Sequence, residues 1–349
     1  MSRLIADLVE LAQTPAPTFD EEARMDWLSG RLSEAGGRRE RDATGNMIWS
    51  WGSGAPRVVV AAHVDTVFPS GTDLTVSSGD DALVGPGIGD NAAAVAVAVN
   101  VVEELLAAEA LGPGAVAFTV GEEGLGNLRG AIAAVDALSP EAFVALEGHG
   151  LDEVIVDAVG SVRAEVRVSG PGGHSWEDRG TPSAIDGLMA VAASLRGFGT
   201  ADGPVNIGTI AGGRSVNTIA DSASMLVERR ALDQEGLSRF EEALAALELP
   251  MPLRVESEIV GRRPAGRLDR DQPLLRRVLA VRERLGLPTR LGEGSTDANA
   301  ALAAGVPALC VGVACGSGMH TLQERIDRRS LDRGAAFVEA LLRELVGHG

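Results

Sequence analysis

Residue types that bind divalent metals recur along this chain at the ends of apolar segments. In chain order the set comprises His63 and Asp65 after the segment 58–62, Asp90 in a glycine-rich turn, Glu122 and Glu123 after 115–120, Glu147 after 143–146, and His320 in a glycine-rich loop after 308–313. Two imidazoles and several carboxylates are the ligand types of a zinc or mixed divalent site. The spacing therefore indicates metal chemistry.

The apolar segments also predict where these side chains meet. Short β-branched runs that alternate with helical segments are typical of buried strands in a largely parallel sheet. Open α/β sheets place their ligands at the carboxyl ends of the strands, which is where these residues fall. The sequence therefore predicts a metalloenzyme whose site lies at one edge of a sheet.

Each of these residues has an ordinary interpretation when it is taken alone. His63 is typical of a hydrogen-bonded interior histidine, and the glutamate pair is typical of a solvated loop. Asp90 suits a helix N-cap, and Glu147 or His320 suits a surface position. The glycine loop does not match G-x-G-x-x-G, because Asp90 stands at the third glycine, and Walker, G-x-S-x-G and H-E-x-x-H motifs are missing. The joint occurrence at strand ends favours the metal site.

Composition narrows the class of protein. A chain of 349 residues fits two domains, and its net charge of −18 argues against nucleic acid or an anionic membrane as a partner. Residues 1–10 lack the pattern of a signal peptide, and charged residues in the run 92–111 favour a buried helix over a membrane span. We therefore expect a soluble, cytoplasmic enzyme. Cys310 and Cys315 are expected to be reduced and buried.

The hydrophobic period changes at residue 161 and again after Pro264. Residues 1–159 alternate helical and extended segments, including a helix over 21–35 that Asp20 is placed to cap. From 161 the order is strand, helix, strand, strand, helix, strand, the ferredoxin-like arrangement. The predicted elements here are a strand from 161, a helix over 183–198, strands over 205–211 and 222–232, a helix over 234–247 and a strand over 253–260. The βα pattern then returns, with helices near 272–285 and 296–304.

These patterns predict an α/β fold. Its mixed, largely parallel sheet with flanking helices belongs to a discontinuous catalytic domain formed by residues 1–160 and 263–349. Residues 161–262 are predicted to form an inserted ferredoxin-like α+β domain.

The ordered set of motifs resembles the co-catalytic zinc exopeptidase and deacylase family, which includes glutamate carboxypeptidase, tripeptide aminopeptidase, acetylornithine deacetylase and succinyl-diaminopimelate desuccinylase. Besides the residues above, the resemblance covers the segments 170–175, 212–218, 294–299 and 320–324. It extends over nearly the whole chain and identifies the family, although it says little about the substrate.

The resemblance implies a role for each metal-binding residue. Asp90 would bridge two divalent ions. Zinc is the expected metal, and cobalt or manganese are the alternatives. His63 and Glu147 would complete the shell of one ion, and Glu123 with His320 that of the other. The pair Asp90-Asn91 and the residue Met319 depart from the usual family pattern, but neither removes a ligand.

Further roles follow from the same resemblance. Glu122 would be the general base, and Asp65 would hydrogen-bond the far ring nitrogen of His63. His174, from the inserted domain of a second subunit, would stabilise the oxyanion, although a loop histidine without function is the alternative. Asn217 and Arg230 would hold a substrate carboxylate, with Arg229 as the alternative arginine.

We therefore predict a hydrolase that uses two divalent ions to cleave an amide bond of a small peptide or an N-acyl amino acid. The inserted domain is expected to act as a lid and to form a homodimer along an edge strand around 179–199 and its adjoining sheet. The enzyme alternatives are a dedicated N-acyl-amino-acid deacylase and a hydrolytic deaminase. A metal-loaded binding protein without activity is the alternative from another class; the pair Glu122-Glu123 argues against it, because a structural site needs no additional carboxylate.

Overall fold

The computed structural model describes residues 2–199 and 203–347, and the chain forms two compact units. The large unit comprises Met1–Ala158 and Arg267–Gly349, and the small unit comprises Val159–Gly266. We describe each by itself.

The large unit alternates strands and helices along the chain. Its strands are β1 (Arg38–Arg41), β2 (Met47–Trp51), β3 (Val58–His63), β4 (Ser77–Ser78), β5 (Ala82–Val84), β6 (Gly114–Thr119), β7 (Ala142–Glu147) and β8 (Glu153–Ala158). Its helices in this part are α1 (Arg3–Gln13), α2 (Glu22–Arg31), α3 (Ala94–Ala107) and α4 (Arg129–Leu138).

The small unit supplies the next elements. They are β9 (Gly160–Ser169), β10 (Gly173–His174), α5 (Ala184–Arg196), β11 (Val205–Gly212), β12 (Thr218–Ile219), β13 (Ser222–Ala231), α6 (Gln234–Ala245) and β14 (Arg254–Arg263). The chain then continues through β15 (Gly266–Arg267), α7 (Pro273–Arg284), β16 (Arg290–Gly294), α8 (Ala298–Ala303), β17 (Ala308–Gly312), β18 (Gly316–Ser317), β19 (Arg325–Asp327) and α9 (Arg328–Val346).

The principal sheet is parallel at its centre and antiparallel towards its edges. Its strand order is β1-β2-β6-β3-β7-β17-β8-β15, and β16 pairs with β8. β3 runs parallel to both β6 and β7, and β17 runs parallel to β7. The prediction of a mixed, largely parallel sheet is confirmed. Because these four strands are parallel, their carboxyl ends meet at the same edge of the sheet.

The central strands are apolar because both faces of the sheet are covered. Along β3, Val58, Val60 and Ala62 face the cluster that contains α1, α3 and α9, whereas Val59 and Ala61 face α4 and α8. Fully burying a valine side chain contributes about 1.5–3 kcal/mol. This two-sided burial explains why the strands read as continuous apolar runs instead of alternating patterns.

The apolar run 92–111 contains helix α3, which is buried between the sheet and its neighbouring helices. In the part of the chain that the structure describes, no helix is both long and apolar enough to cross a bilayer. Cys310 is buried on β17 as predicted, but Cys315 is exposed, because it lies beyond the strand in the loop before β18.

The small unit is an antiparallel sheet with helices on one face. The strand order is β11-β13-β9-β14, and a separate pair is formed by β10 and β12. Even-numbered residues of β9, from Val162 to Val168, pack against α5 and α6, whereas its odd-numbered polar residues face the other side. The order of the main elements is the predicted strand, helix, strand, strand, helix, strand.

Two further local predictions are wrong. Helix α2 begins at Glu22 after an N-cap at Glu21, and Asp20 does not cap it, because Asp20 lies one residue before the N-cap, in a turn that its N–H closes by donating to the carbonyl of Pro17. The predicted edge strand around 179–199 is mostly helix α5; its apolar residues recur at helical spacing and pack on the sheet. The exposed edge on that side is β11.

Candidate metal centre

The predicted metal ligands of the large unit converge on one carboxylate. Oδ1 of Asp90 lies 3.1 Å from Nε2 of His63, and its Oδ2 lies 3.0 Å from Nε2 of His320. Glu147 stands 3.6 Å from the first imidazole, and Glu123 stands 3.2 Å from the second. Two groups of donors therefore form, and each takes a different oxygen of Asp90.

The donor set fits two divalent cations. Within each group, one ligand atom per residue lies within 4.8 Å of the others, which is the span that one ion can bridge. A third such group joins His63 to Glu122 and Glu123, so the Glu122 carboxylate lies beside the same centre. Imidazole nitrogen and carboxylate oxygen suit zinc and related ions.

The electrostatics of the centre also favour bound cations. Burial above all raises the pKa of Glu147 to about 7. The pKa of His320 is raised to about 10, chiefly by its hydrogen bonds to Asp90 and then to Glu123. Burial opposes a charge on His63, yet its pKa is still raised by Glu147 and the neighbouring carboxylates. The field at the centre is therefore strongly negative.

The orientation of His63 leaves one ring nitrogen for a metal. Its Nδ1 lies 3.2 Å from the main-chain carbonyl of Asp65 and 3.5 Å from the Asp65 carboxylate. When Nδ1 carries the proton and donates it, the free lone pair of the ring lies on Nε2. This nitrogen faces Asp90 and Glu147 and is available to a metal. The main-chain contact is shorter than the predicted side-chain contact, so the carbonyl shares the orienting role.

The carboxylate of Asp65 also holds the loop that carries the two glutamates. It accepts hydrogen bonds from the backbone N–H of Glu122 at 3.0 Å and of Glu123 at 2.9 Å, and from the hydroxyl of Thr18 at 2.9 Å. Burial raises the pKa of Asp65, but His63 and these backbone donors outweigh it and lower the pKa overall. Asp65 thus stays an anion and fixes the position of both glutamates.

Sequence reasoning missed two residues behind the centre. Glu324 is fully buried, and its Oε1 accepts the backbone N–H of Asp90 at 2.9 Å and lies 2.6 Å from Nε2 of His149. Gly89 has no space for a side chain, since a Cβ there would lie 2.3 Å from that imidazole nitrogen. The pair therefore connects the Asp90 loop to the segments that carry Glu147 and His320. The signals in the sequence were the histidine two residues after Glu147 and the position of Glu324 at the end of the segment 320–324, but neither residue was assigned a role.

A buried arginine, Arg24, lies close to the same carboxylates. It donates to the carbonyl of Val64 at 2.8 Å and to that of Thr14 at 2.9 Å. Burial lowers its pKa to about 10, and the carboxylates, of which Asp65 contributes most, act in the opposite direction. A permanent cation beneath the centre offsets part of the negative charge.

We expect Glu324→Gln to weaken metal binding without unfolding the protein. The amide retains the size of the side chain but weakens its hydrogen bond to the N–H of Asp90 and its pairing with His149. Loss of a partner that supports metal ligands typically costs about 10–100-fold in affinity. Calorimetric titration of the metal-free protein with Zn²⁺ measures this, and Glu344→Gln, at an exposed surface pair with Arg284, is the control. Equal affinity in both variants would mean that Glu324 only fills space.

The small unit contains the remaining predicted residues, of which His174 and Asn217 are exposed, Arg230 is partly exposed and the alternative Arg229 is buried. His174 and Asn217 are neighbours, because β10 pairs with β12 and the Ser175 N–H donates to the carbonyl of Asn217. Arg230 is half-exposed on the open face and pairs with Glu228 at 3.0 Å. Arg229 faces the helices, is buried, and donates to the carbonyl of Gly203.

Arg230 is far from the other two residues in the same unit. The Asn217 segment adjoins the start of β13, where Ser222 pairs with Ser169, and Arg230 lies at the end of that strand opposite Ser161. At about 3.3 Å per residue, the two ends of β13 are roughly 25 Å apart. The structure therefore brings His174 and Asn217 together but does not bring Arg230 to them.

Comparisons with known proteins agree with this geometry. A relative, the [LysW]-lysine hydrolase of Deinococcus radiodurans, is 26% identical over 355 aligned residues, which cover 95% of this chain and 94% of the relative. Among solved structures, a tripeptidase from Staphylococcus aureus matches with a TM-score of 0.83 at 22% identity, and aminopeptidase PepT from Bacillus cereus matches with 0.80 at 24%. Each of these two alignments covers 98% of both chains, so the fold is shared throughout.

The family of this chain is assigned from the match of its sequence to a protein-family model. Residues 59–344 match the model of peptidase family M20/M25/M40, which is most of the chain and includes the predicted metal ligands. The predicted family and the predicted enzyme class are both confirmed. The chain belongs to peptidase family M20/M25/M40 and is a metal-dependent hydrolase.

Proposed function

We propose that this hydrolase cleaves an amide bond in a small peptide or an N-acyl amino acid, using two divalent ions. The observation that carries the proposal is Asp90, whose two oxygens face the two imidazoles of separate donor groups. His63 and Glu147 would hold one ion, and Glu123 and His320 the other. The peptidases and the hydrolase to which the chain is similar support this substrate class.

The residues at the centre divide the chemical work. When bound at these donors, two ions would supply Lewis acidity and would lower the pKa of a water molecule towards about 7. Glu122 accepts a proton from the attacking water and returns it to the leaving amine as the amide bond breaks. Asp65 keeps Glu122 in place through its backbone N–H. A buried carboxylate beside both donor groups suits this proton transfer.

His174 is proposed to stabilise the oxyanion. Its Nδ1 accepts hydrogen bonds from the backbone N–H groups of Trp176 at 3.2 Å and Glu177 at 3.3 Å. A ring that accepts through Nδ1 has its proton on Nε2, so it can donate to a developing negative charge. The backbone N–H of His174 itself donates to the Asp178 carboxylate at 2.7 Å, and this contact fixes the loop between these two residues.

The small unit is proposed to act as a lid and to form a homodimer. Because Arg230 and His174 lie at opposite ends of β13, a small substrate can contact both only if they come from two different copies of the chain. The edge strand β11 is exposed over most of its length and offers unpaired backbone groups to a second copy. Zinc as the physiological metal and a cytoplasmic location are further parts of this proposal.

A hydrolysis screen with metal analysis tests the proposed function. Protein purified without chelator should contain close to two equivalents of divalent metal per chain and should hydrolyse at least one dipeptide, tripeptide or N-acyl amino acid. If only one equivalent of metal per chain were bound under saturating zinc, manganese or cobalt, Asp90 could not be a ligand that two ions share. Full metal occupancy without turnover would favour the binding-protein alternative. Turnover restricted to N-acyl amino acids would favour a dedicated deacylase, and release of ammonia would favour a hydrolytic deaminase.

Arg230→Ala is expected to lower kcat/KM steeply for substrates that have a free carboxylate near the scissile amide. Removing one member of a desolvated charge pair typically costs about 2–5 kcal/mol. The amidated or esterified analogue never makes this contact and should lose far less. Arg167→Ala, on the same face of the sheet and more exposed, is the matched control. Equal losses on both substrates would mean that Arg230 supports the fold through Glu228.

Mixing two inactive variants tests whether His174 acts across a dimer. His174→Ala and Glu122→Gln chains each lack one proposed function, but a mixed dimer has one centre with both residues intact. We expect the mixture to regain a measurable part of the wild-type rate, whereas each variant alone stays inactive. A mixture without activity, or a protein that sedimentation shows to be monomeric at assay concentration, would place all the catalytic groups in one chain.

A further inference from the structure

Phe19 occupies a backbone position that bulky residues rarely adopt. It is the third residue of the turn 17–20, which is closed by a 2.8 Å hydrogen bond from the Asp20 N–H to the Pro17 carbonyl. Its φ is 77°, in the left-handed region where turns normally place glycine or asparagine. An aromatic residue here strains the backbone, and such strain persists only where the surroundings maintain it.

Burial does not account for the phenylalanine. Its side chain is 61% exposed, so it contributes little to the core. Its ring instead stacks on the guanidinium of Arg129, with 5.2 Å between the guanidinium carbon and the ring centroid. Arg129 in turn contacts both oxygens of Glu21 at 2.8 and 2.9 Å, and Glu21 also accepts the N–H of Phe19 at 3.0 Å. The exposed ring is therefore held in one place before any ligand arrives.

The ring stands beside the catalytic loop of the large unit. The hydroxyl of the preceding residue, Thr18, donates to the carboxylate of Asp65, which also holds the N–H of Glu122. Arg129 packs against Gly121, where an added Cβ would lie 2.3 Å from its Nε. The stacked pair thus flanks the residue before the proposed general base, on the edge of the sheet where the metal ligands meet.

We infer that Phe19 is a specificity-determining residue that contacts an apolar side chain next to the scissile amide. This inference rests on the proposed function and narrows its substrate class to peptides or acyl amino acids with an apolar residue at that position. When an exposed aromatic ring covers apolar surface of a ligand, both surfaces leave water, and this favourable free energy of binding offsets the backbone strain at Phe19. Because the ring is fixed by Arg129 and Glu21, the contact requires little further ordering.

Two variants separate the apolar contact from the backbone strain. Phe19→Gly removes both, since glycine adopts positive φ without a steric cost, whereas Phe19→Leu keeps a Cβ at this position and an apolar side chain. Each variant is assayed with matched pairs of substrates: Leu-Gly against Ala-Gly, Gly-Leu against Gly-Ala, and N-acetyl-leucine against N-acetyl-alanine. The readouts are the ratio of kcat/KM for the leucine and alanine members, and the Tm of the metal-loaded protein.

We expect Phe19→Gly to raise Tm while lowering the leucine-to-alanine ratio about tenfold in at least one series, the scale of a lost apolar contact in a substrate pocket. Phe19→Leu should keep most of the ratio and show no gain in Tm. An unchanged ratio in every series that the wild type hydrolyses would overturn the inference, because the ring would then only cover Arg129. If the wild type hydrolyses none of these six, the pairs are drawn from the substrates that it hydrolyses in the screen above; wild-type protein that hydrolyses no dipeptide, tripeptide or N-acyl amino acid in that screen would instead contradict the proposed function, and the inference would fall with it.

Discussion

Glu122→Gln protein is expected to keep its full complement of metal and to lose most of its activity. The substitution retains the size of the side chain and leaves the hydrogen bond from the Glu122 backbone N–H to Asp65 in place, but removes the carboxylate that accepts and returns a proton. General acid–base catalysis typically contributes about 10²–10⁴-fold to the rate, so kcat should fall by at least two orders of magnitude. Metal analysis and kcat, measured on the same preparation, check both parts.

The neighbouring glutamate provides the matched control. Glu123 lies 3.2 Å from His320 and belongs to a donor group, whereas Glu122 is assigned to proton transfer. Glu123→Gln should therefore lose metal as well as activity. If Glu122→Gln also lost metal, Glu122 would have to be reassigned as a ligand within the group formed with His63. If it kept its activity, another residue would be the base.

Asp65→Asn is expected to damage stability and metal binding together. The fully buried carboxylate accepts from two backbone N–H groups and from Thr18, and an amide must turn an N–H towards at least one of these donors. Leaving buried donors unsatisfied costs about 3 kcal/mol, which should be lost from the free energy of unfolding in urea. Metal affinity should also fall about 10–100-fold, because His63 and Glu123 lose a partner that positions them.

An exposed aspartate, Asp73, provides the control for Asp65→Asn. Asp73 also accepts a backbone hydrogen bond, from Thr75 at 3.0 Å, but it lies on the surface. Asp73→Asn should leave metal affinity unchanged and alter stability only slightly. If Asp65→Asn showed equally small effects, the loop of Glu122 and Glu123 would have to be held by other contacts.

The sequence predicted the parts of the fold that depend on local pattern. β3, β6 and β7 were readable because burial on both faces makes a strand continuously apolar. The polar residues that follow such strands must meet at one edge when the strands are parallel. This is why the sequence could predict that His63, Glu123 and Glu147 lie at a common edge, while their roles as ligands stay a prediction; the sheet and the family prediction were confirmed.

Contacts between distant segments were not readable in this way. Glu324 and His149 are 175 positions apart, and nothing local indicates that they meet behind Asp90. Arg24 sits in an ordinary amphipathic helix, so its burial beneath the centre depends on how that helix packs. The turn at Phe19 was missed because sequence rules expect glycine or asparagine at positive φ, and Asp20 was read as a helix cap instead.

The strands at which the small unit begins and ends lie side by side. Ser161 near the start of β9 pairs with Arg263 at the end of β14, so the unit brings its own two chain ends together. For the large unit, an insertion closed in this manner has the entropic cost of a short loop, although more than a hundred residues separate its attachment points in sequence. Such an insertion can be lengthened, exchanged or replaced by a tight turn while the rest of the chain still folds, as is typical of domains whose termini adjoin. The sheet of the candidate metal centre and the module that is proposed to bind the substrate carboxylate are thereby free to change separately in evolution.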